Sequence, residues 1–160
     1  MDRDDAAERV DVAVDVDAPV GRVWELVLDV DLPARFSREF EAGEWLDQPG
    51  PGARFRGHNR IGDMAWSTTC TVVDFRPGEA FTWAVESVDH PVAVWGYTLD
   101  AGDAGVRLGM HATLGPAPSP PRTAAAADPD HAEEVIARRL RHWTKNMTAT
   151  VEGIKGLAEG

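Results

Sequence analysis

Few side chains in this 160-residue sequence could do chemistry, because Tyr97 is its only tyrosine and Cys70 its only cysteine. The Tyr97 phenol could donate a proton to a reacting group, or serve as a structural hydrogen bond. The Asn59 amide both donates and accepts, as groups that polarise a carbonyl or steady an enolate do; the other reading is an amide satisfied by backbone. Thr68 and Cys70 offer small polar contacts. Cys70 has no histidine near it in sequence and lies in an apolar stretch, so it reads as an inert thiol. Glu39 could act as a base if desolvated, since burial raises a carboxyl pKa, or it is a solvated loop acid.

The remaining searches exclude more than they suggest. His131 and His142 are eleven residues apart, three helical turns, so they lie on one side of a helix but roughly 16 Å apart. They cannot share a metal ion, and His58 and His111 face outward by strand alternation, so no metal and no cofactor is expected. A single cysteine leaves neither an internal disulfide nor a cysteine-based zinc cluster. G-x-S-x-G, H-E-x-x-H, a phosphate-binding loop and a glycine fingerprint opening a helix are all absent from the sequence. Asn146-Met147-Thr148 has the form of a glycosylation acceptor but falls mid-helix. Arg138, Arg139 and Arg141 read as the solvated face of the last helix, partly paired with Glu134.

Composition sets the setting for that chemistry. Sixteen Lys and Arg against 27 Asp and Glu give a net charge of −11, which repels phosphate, so nucleic acid and anionic membranes are poor partners and no nucleic acid is expected. The length and the 43% hydrophobic and 27% charged content fit one globular domain over 1–160. The opening MDRDD is acidic with no apolar segment behind it, and no run approaches the ~20 apolar residues of a membrane span. A cytoplasmic protein without membrane insertion is expected, as a monomer or a homodimer.

The elements that must position these residues follow from periodicity. Residues 1–9 read as a flexible lead-in. Val10, Val12, Val14 and Val16 alternate as one face of a strand. Pro19 then suits a first helical turn, and Val20, Val23, Trp24, Val27 and Leu28 recur at helical spacing over 18–29. A short turn fits 33–38. From 40 to 115 the pattern predicts strands near 40–46, 53–61, 64–75, 79–89, 92–100 and 105–115, separated by Pro/Gly turn clusters. The Pro- and Ala-rich segment 115–130 reads as a loop. Asp130 and Glu133 form a capping box for a helix over 131–158, whose apolar stripe is Ile136, Leu140, Trp143, Met147, Val151, Ile154 and Ala158. One long amphipathic helix and seven strands need each other's apolar faces. The prediction is an α+β fold in which a curved antiparallel seven-stranded sheet wraps around the C-terminal helix, with one or two short helices after the first strand.

This order, together with Ala18-Pro19, Val23-Trp24, Gly43-Glu44-Trp45, 52–57 (GARFRG), Asn59, the Trp66/Thr68/Cys70 alternation, Trp95-Gly96-Tyr97 and Asn146-Met147, resembles the START/birch-pollen-allergen superfamily of helix-grip (SRPBCC) proteins, and within it the bacterial polyketide cyclase/dehydrase branch. The resemblance covers roughly residues 8–158. Two departures stand out: 106–111 (VRLGMH) lacks the polar, Thr- and Glu-bearing last strand usual in similar sequences, and the 115–130 segment lies where the family places part of its cavity entrance.

The resemblance implies a cavity between the concave sheet face and the long helix. Alternation then turns Phe55, Gly57, Asn59 and Ile61 inward, with Trp66, Thr68, Cys70 and Val72, then Phe81, Trp83 and Val85. Trp95, Tyr97, Leu99, Val106, Leu108, Met110 and Ala112 follow, and the helix supplies Leu140, Trp143 and Met147. Phe55, Asn59, Trp66, Thr68, Trp83, Trp95, Tyr97, Met110, Trp143 and Met147 are the expected ligand contacts, with Glu39 near the mouth. The competing reading is that these aromatics are simply core. Three functions remain open. One is a cofactor-independent cyclase, aromatase or dehydratase acting on a small apolar or polyketide-like molecule, with Asn59 and Tyr97 polarising carbonyls and Glu39 or a water moving the α-proton. The second is a non-catalytic carrier, sequestering protein or sensor for a hydrophobic metabolite or lipid. The third is a protein-interaction role like that of the superfamily's chaperone activators.

Overall fold

The computed structural model describes residues 8–160, so the expected lead-in lies outside the described residues through residue 7. β1 (Arg9–Val16) leads into α1 (Val20–Val27) and a 3-10 turn at Leu32–Arg35. Six strands follow: β2 (Phe40–Trp45), β3 (Arg54–Ile61), β4 (Met64–Arg76), β5 (Ala80–Val85), β6 (Ala93–Gly102) and β7 (Gly105–Leu114). They form one antiparallel sheet in the order β1-β7-β6-β5-β4-β3-β2, with β1 brought round to β7. The curved seven-stranded α+β sheet and the long helix are thus as the alternation predicts.

The segment 115–130 differs from expectation. It contains α2 (Pro120–Ala127) and a 3-10 turn (Pro129–His131) ahead of α3 (Ala132–Glu159). Prolines in the first turn of α2 give up no needed donor, and the four alanines behind them are the best helix formers. The capping box is not made either. His131 holds the N-cap position of α3 without a side-chain cap bond, and its ring is bonded instead to the Asp128 carboxylate, Nδ1 lying 3.0 Å from an oxygen.

α3 carries two overlapping stripes. Leu140, Met147, Val151 and Ile154 are buried against the sheet. Its C-terminal end is lashed to β1: Lys155 Nζ donates to the Asp15 carbonyl at 2.7 Å, and Glu159 accepts from the Asp17 amide at 2.8 Å. Leu99, Val106, Leu108 and Ala112 fill the closed part of the core. Ile61 shares the inward parity of β3 but is 48% exposed, because it lies at the far end of the strand, beside the hairpin.

Close approaches bring residues 30–40 over the sheet. Gly43 pairs with Gly57 across β2 and β3; a Cβ at Gly57 would sit 2.8 Å from the Phe40 ring, and one at Gly43 would strike the Val30 carbonyl. On the helix, a Cβ at Gly153 would lie 2.5 Å from Phe36. Three glycines therefore let this segment close one side of the space between sheet and helix.

Candidate functional site

Between the concave sheet and α3 lies a cavity of about 200 Å³. The sheet floor supplies Phe55 and Asn59 from β3, Trp66, Thr68 and Cys70 from β4, and Phe81 and Trp83 from β5. Trp95, Tyr97 and Met110 continue it, Trp143 and Met147 come from α3, and Glu39 lies on the covering segment. All eleven side chains singled out as catalytic or ligand-contacting therefore border one space. Alternation explains why: inward parity on five neighbouring strands points at the same helix face.

The aromatics touch one another without filling the space. Trp83 lies 4.9 Å from Phe81, 5.4 Å from Phe55 and 5.8 Å from Tyr97, ring centre to ring centre. Trp95 and Trp143 meet at 4.8 Å across the gap between sheet and helix. Trp45, not among the expected contacts, backs this wall: it stacks on Phe81 at 5.8 Å and donates its indole N–H to the Leu28 carbonyl.

The polar groups divide into occupied and unoccupied ones. Tyr97 is buried, and among the described residues its hydroxyl has no protein partner. Burial, then the negative charge of Asp29, pushes its pKa above the ordinary tyrosine value, so the phenol stays protonated and can only be satisfied by a group in the cavity. The Asn59 amide likewise has no protein partner among the described residues. Cys70 is buried, its Sγ lies 3.9 Å from the Thr68 hydroxyl, and burial pushes its pKa up to about 12, which keeps it a neutral thiol.

Glu39 is neither a free base nor a solvated acid. Its two oxygens accept from Arg139 Nη1 and Nη2 at 2.7 and 2.6 Å, and the two side chains are only 16% and 19% exposed. Arg139 therefore does not belong to the solvated face of α3. Its guanidinium lies 6.0 Å from the centre of the Trp143 ring and lines the cavity. The signal was present in the spacing: Arg139, Trp143, Asn146 and Thr150 step by four, three and four, a second stripe beside the apolar one. Arg141 does pair with Glu134, at 2.8 Å. Sequence reasoning also missed Asp29 and Asn146. Asp29 caps the turn after α1 by accepting from the Asp31 amide at 3.0 Å, and the Asn146 amide oxygen receives the Arg38 amide at 3.5 Å.

Two expectations about the cavity's surroundings change. No lining residue comes from 115–130, so that segment does not shape the mouth. His111 faces outward but is half-buried, packed where a Cβ on Gly96 would lie 2.6 Å from its Nε2. Among the described residues no three His, Cys, Asp or Glu side chains converge as metal ligands, and no helix is long and apolar enough to cross a membrane.

The curved sheet and the helix it grips, with the aromatic cavity between them, define a helix-grip protein. The sequence profile of the polyketide cyclase/dehydrase and lipid transport family matches residues 7–152, and the chain belongs to that family. Among solved structures it is similar to a polyketide cyclase-like protein of Corynebacterium glutamicum, with 25% identity and a TM-score of 0.65 over 92% of this chain and 88% of that one. It is also similar to the ZhuI aromatase/cyclase of a Streptomyces species, at 22% identity and a TM-score of 0.68 over 94% and 93% of the two chains. A third is the di-domain aromatase/cyclase StfQ of the steffimycin biosynthetic pathway, at 13% identity and a TM-score of 0.76, where 98% of this chain covers 52% of that one. At 22% and 13% identity the likeness is one of fold. A comparison with curated protein sequences finds no match.

Proposed function

We propose that this chain binds a small, apolar or aromatic, polyketide-like molecule in the sheet–helix cavity and acts on it as a cyclase, aromatase or dehydratase. The observation that carries the reading is Tyr97: a buried phenol, held protonated, bordering an aromatic cavity with no protein acceptor among the described residues. A hydroxyl so placed borders the cavity and is available to donate to a molecule bound there. Tyr97 and Asn59 would donate to carbonyl oxygens of a folded polyketone. A water in the cavity, or Glu39 once released by Arg139, would take the α-proton; the resulting enolate carbon attacks a second carbonyl, the new alkoxide takes a proton from Tyr97, and the protonated base returns its proton to the phenolate. Positioning alone can supply ~7–11 kcal/mol of the barrier. The names of the similar aromatase/cyclases support this choice of reaction.

The test is turnover of a linear 3,5,7-triketo thioester to a cyclic product. Wild-type protein should form the ring, and Asn59→Ala with Tyr97→Phe should lose that activity while keeping its circular dichroism; unchanged turnover removes the mechanism. A second reading, a non-catalytic carrier, is favoured by one observation: both oxygens of Glu39 are engaged by Arg139. Native mass spectrometry of freshly purified protein separates the two. A carrier should retain a discrete adduct above 17.4 kDa, whereas an enzyme that releases its product should not.

A further inference from the structure

Arg139 is the only cation lining the cavity among the described residues, and three features mark it as more than a clasp. First, the segment that carries Glu39 has other holds on α3. Phe36 occupies the notch left by Gly153, and the Arg38 amide reaches Asn146. The ion pair can open without releasing the segment. Second, the guanidinium has a second support in the face of Trp143, 6.0 Å away, so it stays beside the cavity when Glu39 leaves it. Third, Glu39 occupies the guanidinium in the two-pronged way that any carboxylate would, at 2.7 and 2.6 Å. A largely desolvated pair of this kind is a weak source of stability in itself.

The cavity limits what accompanies that carboxylate. A volume of about 200 Å³ is modestly larger than the ~150 Å³ known to take up benzene, which suits one ring or two fused rings. Its walls are indole and phenyl faces, and the Tyr97 phenol offers one donor. We propose that Arg139 is a recognition residue for a carboxylate on the cavity's ligand, which displaces Glu39 from the guanidinium, so that the molecule bound is a planar one- or two-ring carboxylic acid. This rests on the cavity being the ligand site, as argued above. The net charge of −11 opposes binding of any anion, so a preference for acids would have to come from a local contact.

Calorimetric titration with 2-naphthoic acid and 2-naphthol, which share a ring system and differ in the acidic group, tests the assignment. Wild-type protein, in which the acid must first displace Glu39, should bind the acid more tightly than the naphthol, but by less than a newly formed pair of charged hydrogen bonds is worth. Glu39→Gln removes the competing carboxylate, so it should raise the preference for the acid over the naphthol about tenfold or more, the range expected for hydrogen bonds to a charged group. The double variant Glu39→Gln with Arg139→Gln, which leaves no unpaired charge, should bind both probes alike. A merely structural pair gives the opposite sign, with Glu39→Gln weakening the acid. That result, or equal binding of the two probes by wild type, overturns the carboxylate assignment and leaves the cavity reading in place. Binding of neither probe overturns both.

Discussion

Two arginine–glutamate pairs join distant parts of this chain, and their chemistry is nearly the same. Arg122 holds Glu8 at 2.9 and 2.6 Å across 114 residues, and Arg139 holds Glu39 at 2.7 and 2.6 Å across 100 residues. Side-chain exposures are 28% and 17% in the first pair and 19% and 16% in the second. What differs is the third neighbour. Arg122 sends its Nε–H to the Gly115 carbonyl at 3.0 Å, fastening the start of α2 to the end of β7 and the approach to β1. Arg139 lies against Trp143 at the edge of the cavity. Distance, burial and geometry therefore do not separate a structural clasp from the pair proposed to meet a ligand; the surroundings do.

The largest expected effect falls on the clasp. Arg122→Ala leaves Glu8 half-buried and unpaired and frees the Gly115 carbonyl, a loss of about 2 kcal/mol or about 4–8 °C in Tm by thermal denaturation. Its affinity for 2-naphthol should not change. If Arg122→Ala weakened the probe as much as it lowered Tm, the contrast between the two pairs would collapse.

Next comes Tyr97→Phe, which sharpens the cavity side of the comparison. The hydroxyl has no protein partner among the described residues, so its removal should leave Tm unchanged or raised. Calorimetry should find 2-naphthol bound about two- to tenfold more weakly, the worth of one neutral hydrogen bond. A clear drop in Tm would mean that the phenol serves the fold.

Gly153→Ala probes the strap that carries Glu39. Alanine favours the helix by about 1 kcal/mol, but its Cβ would press on Phe36 at 2.5 Å. Overpacking of this kind costs about 1–3 kcal/mol, so Tm should be unchanged or lowered. Hydrogen exchange should still quicken at the Glu39 and Phe40 amides, which now donate to the Ser37 hydroxyl at 3.1 and 3.0 Å. Unchanged exchange there would show that the strap is not seated on Gly153.

The smallest effect lies on the convex face, with His111. Its Nδ1 is buried without a partner, and burial, then the charge of Arg9, lowers its pKa below 6.5; the nearby Asp11 acts in the opposite sense. The folded chain thus keeps the imidazole neutral where the unfolded chain protonates it. Stability is fully present above pH 6.5 and declines as pH falls through 6.5 toward the lowered value. His111→Gln should flatten that slope in denaturant titrations between pH 7 and 5. Retention of the slope would assign it to other groups.

The sheet was legible because its signals are local. Alternation in 64–76 and 105–114 and the Pro/Gly clusters between strands place the boundaries within a few residues. The same parity puts Trp66, Trp83, Trp95, Tyr97 and Met110 around one cavity. What was not legible depends on contacts between distant segments. Arg139 reads as a surface arginine until residues 36–40 are laid over it, and that closure depends on glycines at 43, 57 and 153. α2 was hidden for a different reason. Its prolines look like breakers, yet they fall in the first turn of the helix, where none of their missing donors is needed.

The central claim is that a ligand enters the space between the sheet and α3. Its most direct test is a proton–nitrogen NMR titration with 2-naphthol, followed at the six tryptophan indole N–H groups. Trp66, Trp83, Trp95 and Trp143 line the cavity, whereas Trp24 packs on Phe75 away from it and Trp45 gives its N–H to the Leu28 carbonyl. The account predicts saturable shifts at the first four and little change at Trp24 and Trp45. Shifts confined to Trp24 and Trp45, or none at any indole at millimolar probe, would contradict it.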